Sequence, residues 1–120
     1  MVTTLSRGDV IIVELDPTRG SEQRSRRPCL VVQNDVGNEH APTTIIVPFT
    51  TSFGDQLYPF EVLVPADECA LKEDSVALCS QIRTVSIHER IRDRIGSIPD
   101  ERLSEVDRAL EYSLSLRDPS

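Results

Sequence analysis

The chain has 120 residues, 38% of them apolar, and its 20 acidic and 13 basic side chains give a formal net charge of −7. This length predicts a single domain, residues 1–120, with a modest core. No apolar run approaches the roughly 20 residues of a membrane span. The N-terminus lacks the basic-then-apolar order of a signal peptide. We therefore expect a cytoplasmic protein with no membrane contact, and the acidic balance argues against general nucleic-acid binding.

The cysteines and histidines favour structural roles. Cys29, Cys69 and Cys79 are odd in number, widely spaced and without a Cys-x-x-Cys pair, which predicts buried, reduced thiols. His40 and His88 have no second ligand at zinc-type spacing, and both are expected at the surface. No metal and no other cofactor is expected.

The first half of the chain predicts three strands. Residues 10–15 form a β-branched run that ends at an Asp-Pro turn signal, and residues 29–33 form a second strand expected to be buried on both faces. Residues 34–38 have turn composition. Residues 43–50 predict a third strand, in which Pro48 indicates an edge or a bend.

The second half predicts two or three further strands and one helix. Strands are expected at 58–64 and 75–80, with a loop at 65–74 between them, and a short one near 94–98. Ser86 and Glu89 have the spacing of a capping box, which indicates a helical turn. Leu103, Val106, Leu110 and Leu114 form one apolar stripe, which predicts a helix over about 100–116. The pattern favours a small, coiled antiparallel sheet or a partly open barrel, with the helix covering one face.

A cationic loop separates the first two predicted strands. Four arginines lie within nine positions, a local reversal of sign in an acidic chain: Arg19, Arg24, Arg26 and Arg27. A cationic loop between rigid strands is a place to hold a phosphate. Pro28 fixes its own φ and pushes the preceding residue into an extended conformation. We expect Arg27 to be anchored at a strand edge, while Arg24 and Arg26 swing free.

Several motifs carry a resemblance to a known family. Residues 20–28 read Gly-Ser-Glu-Gln-x-x-x-Arg-Pro and lead into Leu-Val-Val-Gln-Asn at 30–34. Val-Pro-Phe-Thr-Thr at 47–51, Tyr-Pro-Phe-Glu-Val at 58–62 and Gln-Ile-Arg-Thr at 81–84 follow in order. Over residues 7–116 the chain resembles the MazF/PemK family of toxin endoribonucleases.

The resemblance implies a fold, an activity and partners. The fold would be mainly β: a small SH3-like antiparallel β-barrel of the PemK/CcdB-like type with a C-terminal α-helix. The activity would be metal-independent cleavage of single-stranded RNA (mRNA) at short specific sequences by a homodimer, and a cognate MazE-like antitoxin would block the groove. The family's catalytic arginine and threonine fall on Arg27 and Thr50, with Thr51 as the alternative threonine.

The chain departs from the family pattern at two places. Arg24 and Ser25 stand where many members have glycines, which predicts a stiffer and more cationic loop. Some branches carry an Arg-x-Asp pair before the Gln-x-Arg-Thr motif, whereas this chain has Leu-Cys-Ser at 78–80. A mechanism that needs that aspartate is therefore not available.

Metal-free cleavage can use the ribose 2′-OH as nucleophile, giving a 2′,3′-cyclic phosphate and a 5′-OH end. Arg27 would stabilise the anionic phosphorane, and Thr50 would donate to another phosphoryl oxygen. Arginine is a poor base because its pKa exceeds about 12, so Glu22 is either the base or a residue that braces the loop. The candidates for substrate binding are Ser21, Glu22, Gln23, Arg24, Asn34, Gln81 and Arg83.

Several of these candidate site residues also have a structural interpretation. The amides of Gln23, Asn34 and Gln81 either read base edges or brace turns and strand ends. Arg83 either binds phosphate or pairs with an acidic neighbour, and Arg27 could form a surface ion pair instead.

Two other functions compete with the nuclease. One is a CcdB-like binding toxin that inhibits DNA gyrase without cutting nucleic acid. The other is an inactive module that binds RNA or an antitoxin.

Overall fold

A computed structural model of the chain describes residues 4–15 and 26–117. These residues form seven strands and four helices, in the order β1 Asp9–Glu14, β2 Arg26–Val31, α1 Asp35–His40, β3 Thr43–Thr50, β4 Glu61–Val64, α2 Ala66–Cys69, β5 Ser75–Leu78, β6 Arg83–Ser86, α3 Ile87–Arg90, β7 Ile91–Ser97 and α4 Asp100–Ser113.

The strands form one coiled antiparallel sheet. The hydrogen-bonded order is β4-β5-β3-β2-β1-β7, and β6 pairs with β3 beside this path. β3 pairs with β6 over 43–46 and with β5 at 49–50. The end strands β4 and β7 do not pair within the described residues, so the sheet is not closed. The predicted fold class, a small antiparallel β-fold with a C-terminal helix, is confirmed.

Alternation along β1 and β2 divides the buried side chains between the two faces of the sheet. Val10 and Leu30 belong to a cluster with Val106 and Ala109 of α4. The neighbouring residues Ile11 and Cys29 belong to a second cluster, which includes Ile46 and Ile91. Both faces of the central strands are therefore covered, as the apolar run of the second strand predicted.

Helix α4 packs on the first cluster through part of its predicted stripe. Val106 is buried, and Leu103 and Leu110 pack against the cluster. Leu114 is 55% exposed because the helix ends at Ser113, earlier than predicted. Arg102 binds Glu68 of α2 through two bonds, Nε to Oε1 at 2.8 Å and Nη2 to Oε2 at 3.2 Å. This charged fork fixes the helix over the sheet.

The predicted bounds of several elements were wrong. β2 begins three residues earlier than expected and includes Arg26. Residues 34–38 belong largely to α1, because the Asn34 side chain accepts a bond from Gly37 N at 2.8 Å and caps a helix. The loop 65–74 contains α2, and β6 was missed. β4 begins at Glu61 because the residues before it form a turn.

Pro48 does not mark an edge strand. β3 has partners on both sides, with Pro48 opposite Cys29 of β2. On its other side the partner changes from β6, which pairs up to Ile46, to β5, which pairs from Phe49. Pro48 lies between these two ladders, where a residue without an N–H is tolerated.

The helical turn predicted from the spacing of Ser86 and Glu89 is confirmed as α3, and so are the surface histidines. Ser86 Oγ accepts a bond from Glu89 N at 3.3 Å. His40 and His88 are exposed.

All three cysteines are free and buried, as predicted. Burial raises the pKa of the Cys29 and Cys79 thiols from 9.0 to about 12.

Among the described helices, none is long and apolar enough to cross a membrane.

Candidate active site

A surface depression of about 340 Å³ lies where four segments of the sheet meet. Its walls come from the end of β1, the start of β2, the middle of β3 and the segment that enters β6. The lining residues are Leu15, Arg27, Ile46, Pro48, Gln81, Ile82 and Arg83. Three of the predicted site residues, Arg27, Gln81 and Arg83, therefore share one depression.

Strand register explains why these residues converge. Cys29 of β2 lies opposite Pro48 of β3, and the same antiparallel register extended by two residues places Arg27 across from Thr50. Ile46, Pro48 and Thr50 alternate along β3 and share one face. Ile46 also pairs with Arg83 of β6. The two arginines thus stand on opposite flanks of β3, with Thr50 at its end.

Arg27 is positioned by a backbone carbonyl. Its Nη2 donates to the carbonyl oxygen of Phe49 at 3.1 Å, and the side chain is half-buried. A guanidinium has five N–H donors in a fixed fork, so one bond holds its orientation and leaves others for a ligand. Among the described residues Arg27 forms no ion pair. The alternative interpretation of Arg27, a surface ion pair, is therefore not seen in this part of the chain.

Arg83 is also held by a carbonyl, since its Nη2 donates to Leu15 O at 2.9 Å. The charges of Arg27 and Arg83 both lower the pKa of the Cys29 thiol, although burial outweighs them and raises it overall. The positive charges of both arginines therefore act on the Cys29 thiol in β2. A phosphate between two such groups would receive charge-assisted hydrogen bonds from both sides.

Thr50 rather than Thr51 shares this face. The Thr50 hydroxyl accepts from Ser52 N at 3.1 Å and donates weakly to Ser52 O at 3.4 Å. Thr51 instead lines a second, mainly apolar depression of about 340 Å³ together with Pro28. Because Pro28 and Arg27 are adjacent in a strand, they point to opposite faces. The alternation therefore favours the assignment to Thr50.

Asn34, another predicted site residue, is not among the residues that line the depression. Asn34 lies beyond the far end of β2 from Arg27, and its side-chain oxygen caps α1. Ser21, Glu22, Gln23 and Arg24 lie outside the described residues, as does Arg19.

Sequence reasoning missed the apolar wall of the depression and the acceptor that orients Arg27. The wall consists of Leu15, Ile46, Pro48 and Ile82. The period-2 alternation of β3 would have shown that Ile46 and Pro48 share a face with Thr50. The Phe49 carbonyl has no signal in the sequence, because any residue offers a carbonyl there.

Nearly the whole chain is similar to known proteins. Residues 6–114 match the family model described as PemK-like, MazF-like toxin of type II toxin–antitoxin system. The chain is 41% identical over 114 residues to Endoribonuclease EndoA of Bacillus subtilis (strain 168), covering 95% of this chain and 97% of that protein.

Solved structures show the same fold. The crystal structure of MazF (form I) from Deinococcus radiodurans superposes with a TM-score of 0.76 and 26% identity, over 95% of this chain and 99% of that one. A mycobacterial endoribonuclease in complex with its cognate antitoxin superposes with a TM-score of 0.74 and 25% identity, over 96% and 99%. The family match and the close relative together establish that the chain belongs to the PemK-like, MazF-like toxins of type II toxin–antitoxin systems.

Proposed function

We propose that this endoribonuclease toxin cleaves single-stranded RNA at a short specific sequence, without a metal ion, by attack of the ribose 2′-OH on the adjacent phosphate. The class of activity rests on the family match and on the relative named Endoribonuclease EndoA. These comparisons favour the nuclease over a CcdB-like gyrase-binding toxin. The observation that carries the mechanism is the carbonyl-held guanidinium of Arg27 in a depression that also contains Arg83.

The reaction depends mainly on the stabilisation of negative charge. The 2′-oxygen forms a bond to phosphorus and loses its proton, and the 5′-oxygen leaves and takes up a proton. The phosphorane between these steps carries more negative charge than the diester. A guanidinium oriented before the reaction stabilises that extra charge without reorganising. Arg27 is in this position because its Nη2 is anchored on Phe49 O.

Thr50 and Arg83 complete the phosphate site. Thr50 lies at the end of the strand opposite Arg27, where its hydroxyl can exchange the long 3.4 Å bond to Ser52 O for a phosphoryl oxygen. Arg83 supplies a second positive charge from the other flank of β3. This arrangement supports attack of the ribose 2′-OH on the adjacent phosphate, with that phosphate held between the two arginines.

The residues that flank the phosphate would select the sequence. Gln81 is exposed at the rim of the depression, where its amide can pair with a base edge. We assign Ser21, Glu22, Gln23 and Arg24 to substrate contact through their place in the motif before Arg27, with Glu22 as candidate base. Asn34 would reach only a more distant part of the RNA.

The same surface would serve regulation. We propose a cytoplasmic homodimer whose groove is blocked by a cognate MazE-like antitoxin. A structural relative is described as an endoribonuclease in complex with its cognate antitoxin, which supports a protein partner of this kind for the present chain.

The test is to incubate the protein with a long single-stranded RNA in EDTA and to map the 5′ ends of the fragments. We expect cuts at one recurring short sequence with 5′-OH ends. Arg27→Ala should stay folded and bind RNA but lose about 10²–10³ in rate, as for the loss of one preorganised donor. Arg108→Ala is the matched control, because Arg108 is an exposed arginine on α4. Intact RNA with the wild-type protein would contradict the proposal.

A further inference from the structure

Two aromatic rings form a stack at the surface of the loop between β3 and β4. The rings of Tyr58 and Phe60 are 3° from parallel, and their centroids are 5.2 Å apart. Tyr58 is 64% exposed although Phe60 covers one side of its ring, so the other face is open to solvent. Within the described residues this pair does not serve the core, since neither residue belongs to a buried cluster.

The turn that carries the stack is held by two hydrogen bonds. The backbone N–H of Tyr58 donates to the Glu61 carboxylate at 2.9 Å, and the N–H of Glu61 donates back to the carbonyl of Tyr58 at 2.9 Å. Pro59 lies between the two aromatic residues and fixes one backbone angle. The backbone of the turn is thus ordered before any ligand arrives, which lowers the entropy cost of binding.

The turn that carries the stack lies beside the backbone segment that leads to Gln81. The carbonyl of Phe60 accepts from the N–H of Cys79 at 2.9 Å, and the N–H of Gln81 closes a turn on the carbonyl of Leu78 at 3.0 Å. The aromatic turn and the Gln81 rim are therefore neighbouring segments of one edge. A strand of RNA that runs from the arginine site over Gln81 towards this edge would reach the turn that carries Tyr58.

We propose that Tyr58, backed by Phe60, is a stacking platform for one unpaired base of the RNA, next to the nucleotide that is cut. This inference rests on the proposed ribonuclease function and extends its binding site. The occupant is a base because an open, flat aromatic face fits a planar ring. Proteins that bind single-stranded RNA commonly stack its splayed bases on aromatic side chains.

The fluorescence of the protein allows a direct test. The chain contains no tryptophan and two tyrosines, so Tyr112→Phe leaves Tyr58 as the one emitter. In a cleavage-deficient Arg27→Ala, Tyr112→Phe protein, we expect a single-stranded RNA spanning the mapped cut site to quench Tyr58 emission, after correction for absorption. The same RNA with an abasic nucleotide at the stacked position should quench much less. Equal quenching by RNAs made abasic at each position in turn would overturn the platform.

Variants separate stacking from a structural role. Tyr58→Ala in an otherwise wild-type protein should raise KM about 5–150-fold with little change in kcat, the range expected for loss of one stacked base. Tyr58→Phe and Tyr58→Trp should restore KM, because each keeps a flat ring. Val36→Ala is the control, since it removes an equally exposed apolar side chain from α1.

The outcomes also distinguish this proposal from the proposed function. Cleavage by the wild-type protein with an unchanged KM for Tyr58→Ala would refute the platform and leave the nuclease intact. Quenching by RNA without any cleavage by the wild-type protein would refute the nuclease and leave a base-binding surface. Quenching by an antitoxin peptide and not by RNA would reassign the surface to a protein partner and overturn the proposal.

Discussion

Replacing Arg27 by lysine separates the geometry of the guanidinium from its charge. The Arg27 fork has one N–H on the Phe49 carbonyl at 3.1 Å, and the others can reach two phosphoryl oxygens at once. A lysine ammonium is a single point of charge on a flexible stem. It cannot keep the carbonyl bond and also bind two phosphoryl oxygens in a fixed plane.

The expected loss can be estimated from these bonds. A hydrogen bond to a charged group contributes about 1.5–3 kcal/mol. If Arg27→Lys loses one such bond in the transition state, kcat should fall about 10–150-fold, because about 1.36 kcal/mol corresponds to a factor of ten. KM should change little, since the positive charge that attracts RNA is retained. Arg27→Ala loses the positive charge as well as the hydrogen bonds to phosphate. Its kcat should therefore fall further, by about 10²–10³.

Initial cleavage rates in EDTA, measured at concentrations of the mapped RNA above and below KM, give kcat and KM. Arg108→Lys is the matched control on α4, and thermal melting should show that each variant is folded. Full activity of Arg27→Lys would refute the bidentate role and leave only a charge. Full activity of Arg27→Ala would refute any catalytic role for this residue.

Four further predictions follow from particular contacts. Thr50→Val should lower the cleavage rate tenfold or more, since it removes a donor to a charged phosphate, whereas Thr51→Val should leave the rate unchanged in the same assay. RNA binding, measured by titration, should weaken with log salt at a slope of about −0.7 per phosphate contacted. A slope near zero would contradict a site of two arginines. Gly96→Ala should destabilise the fold by about 1–3 kcal/mol, because the added Cβ would lie 3.0 Å from the Ala70 Cβ. Gly54→Ala has nothing nearer than 4.0 Å and is the control in thermal melting. Burial raises the pKa of the Cys79 thiol from 9.0 to about 12, so its stabilisation is complete below pH 9 and is lost as the pH rises towards 12. Cys79 alone should contribute up to about 1.36 kcal/mol per pH unit to the slope measured by urea unfolding, and Cys79→Ala should lower the slope by that contribution.

The elements that the sequence predicted well are those with a strong local signal. β3 has the predicted bounds because a β-branched run lies between polar segments. The helical turn capped by Ser86 forms as expected, and α4 follows its apolar period. In each case the residues that decide the structure are neighbours in the chain.

The elements that the sequence missed depend on partners far away. β6 has three exposed or half-buried residues of its four and little alternation, and it is a strand because β3 offers a free edge over 43–46. Helix α1 has turn composition and is stabilised by the Asn34 cap. Local propensity is a weak guide where a tertiary contact decides.

The site shows the same division between local and distant signals. Arg27 and Thr50 were predicted as site residues through motifs, and the register of β2 and β3 supports their proximity. The pairing of Ile46 with Arg83, which forms the other flank, joins segments that no local pattern connects. Antiparallel pairing of distant strands is specified by both strands together, so this flank could not be read from either one.

The net charge of −7 belongs to the whole chain and does not describe the charge at the site. Several arginines elsewhere bind carboxylates, whereas Arg27 binds a backbone carbonyl. Several arginines pair with carboxylates and so neutralise their own charge: Arg7 with Asp107, Arg92 with Glu14, Arg94 with Asp9 and Arg102 with Glu68. Two of those carboxylates, Glu14 and Asp9, are buried and would be costly without a cation. Arg27 is instead oriented by the uncharged Phe49 carbonyl. A carbonyl fixes the guanidinium plane while leaving the full positive charge for an incoming phosphate. An acidic protein can therefore keep a cationic site of the kind proposed here for RNA, provided that a neutral acceptor holds the proposed catalytic arginine.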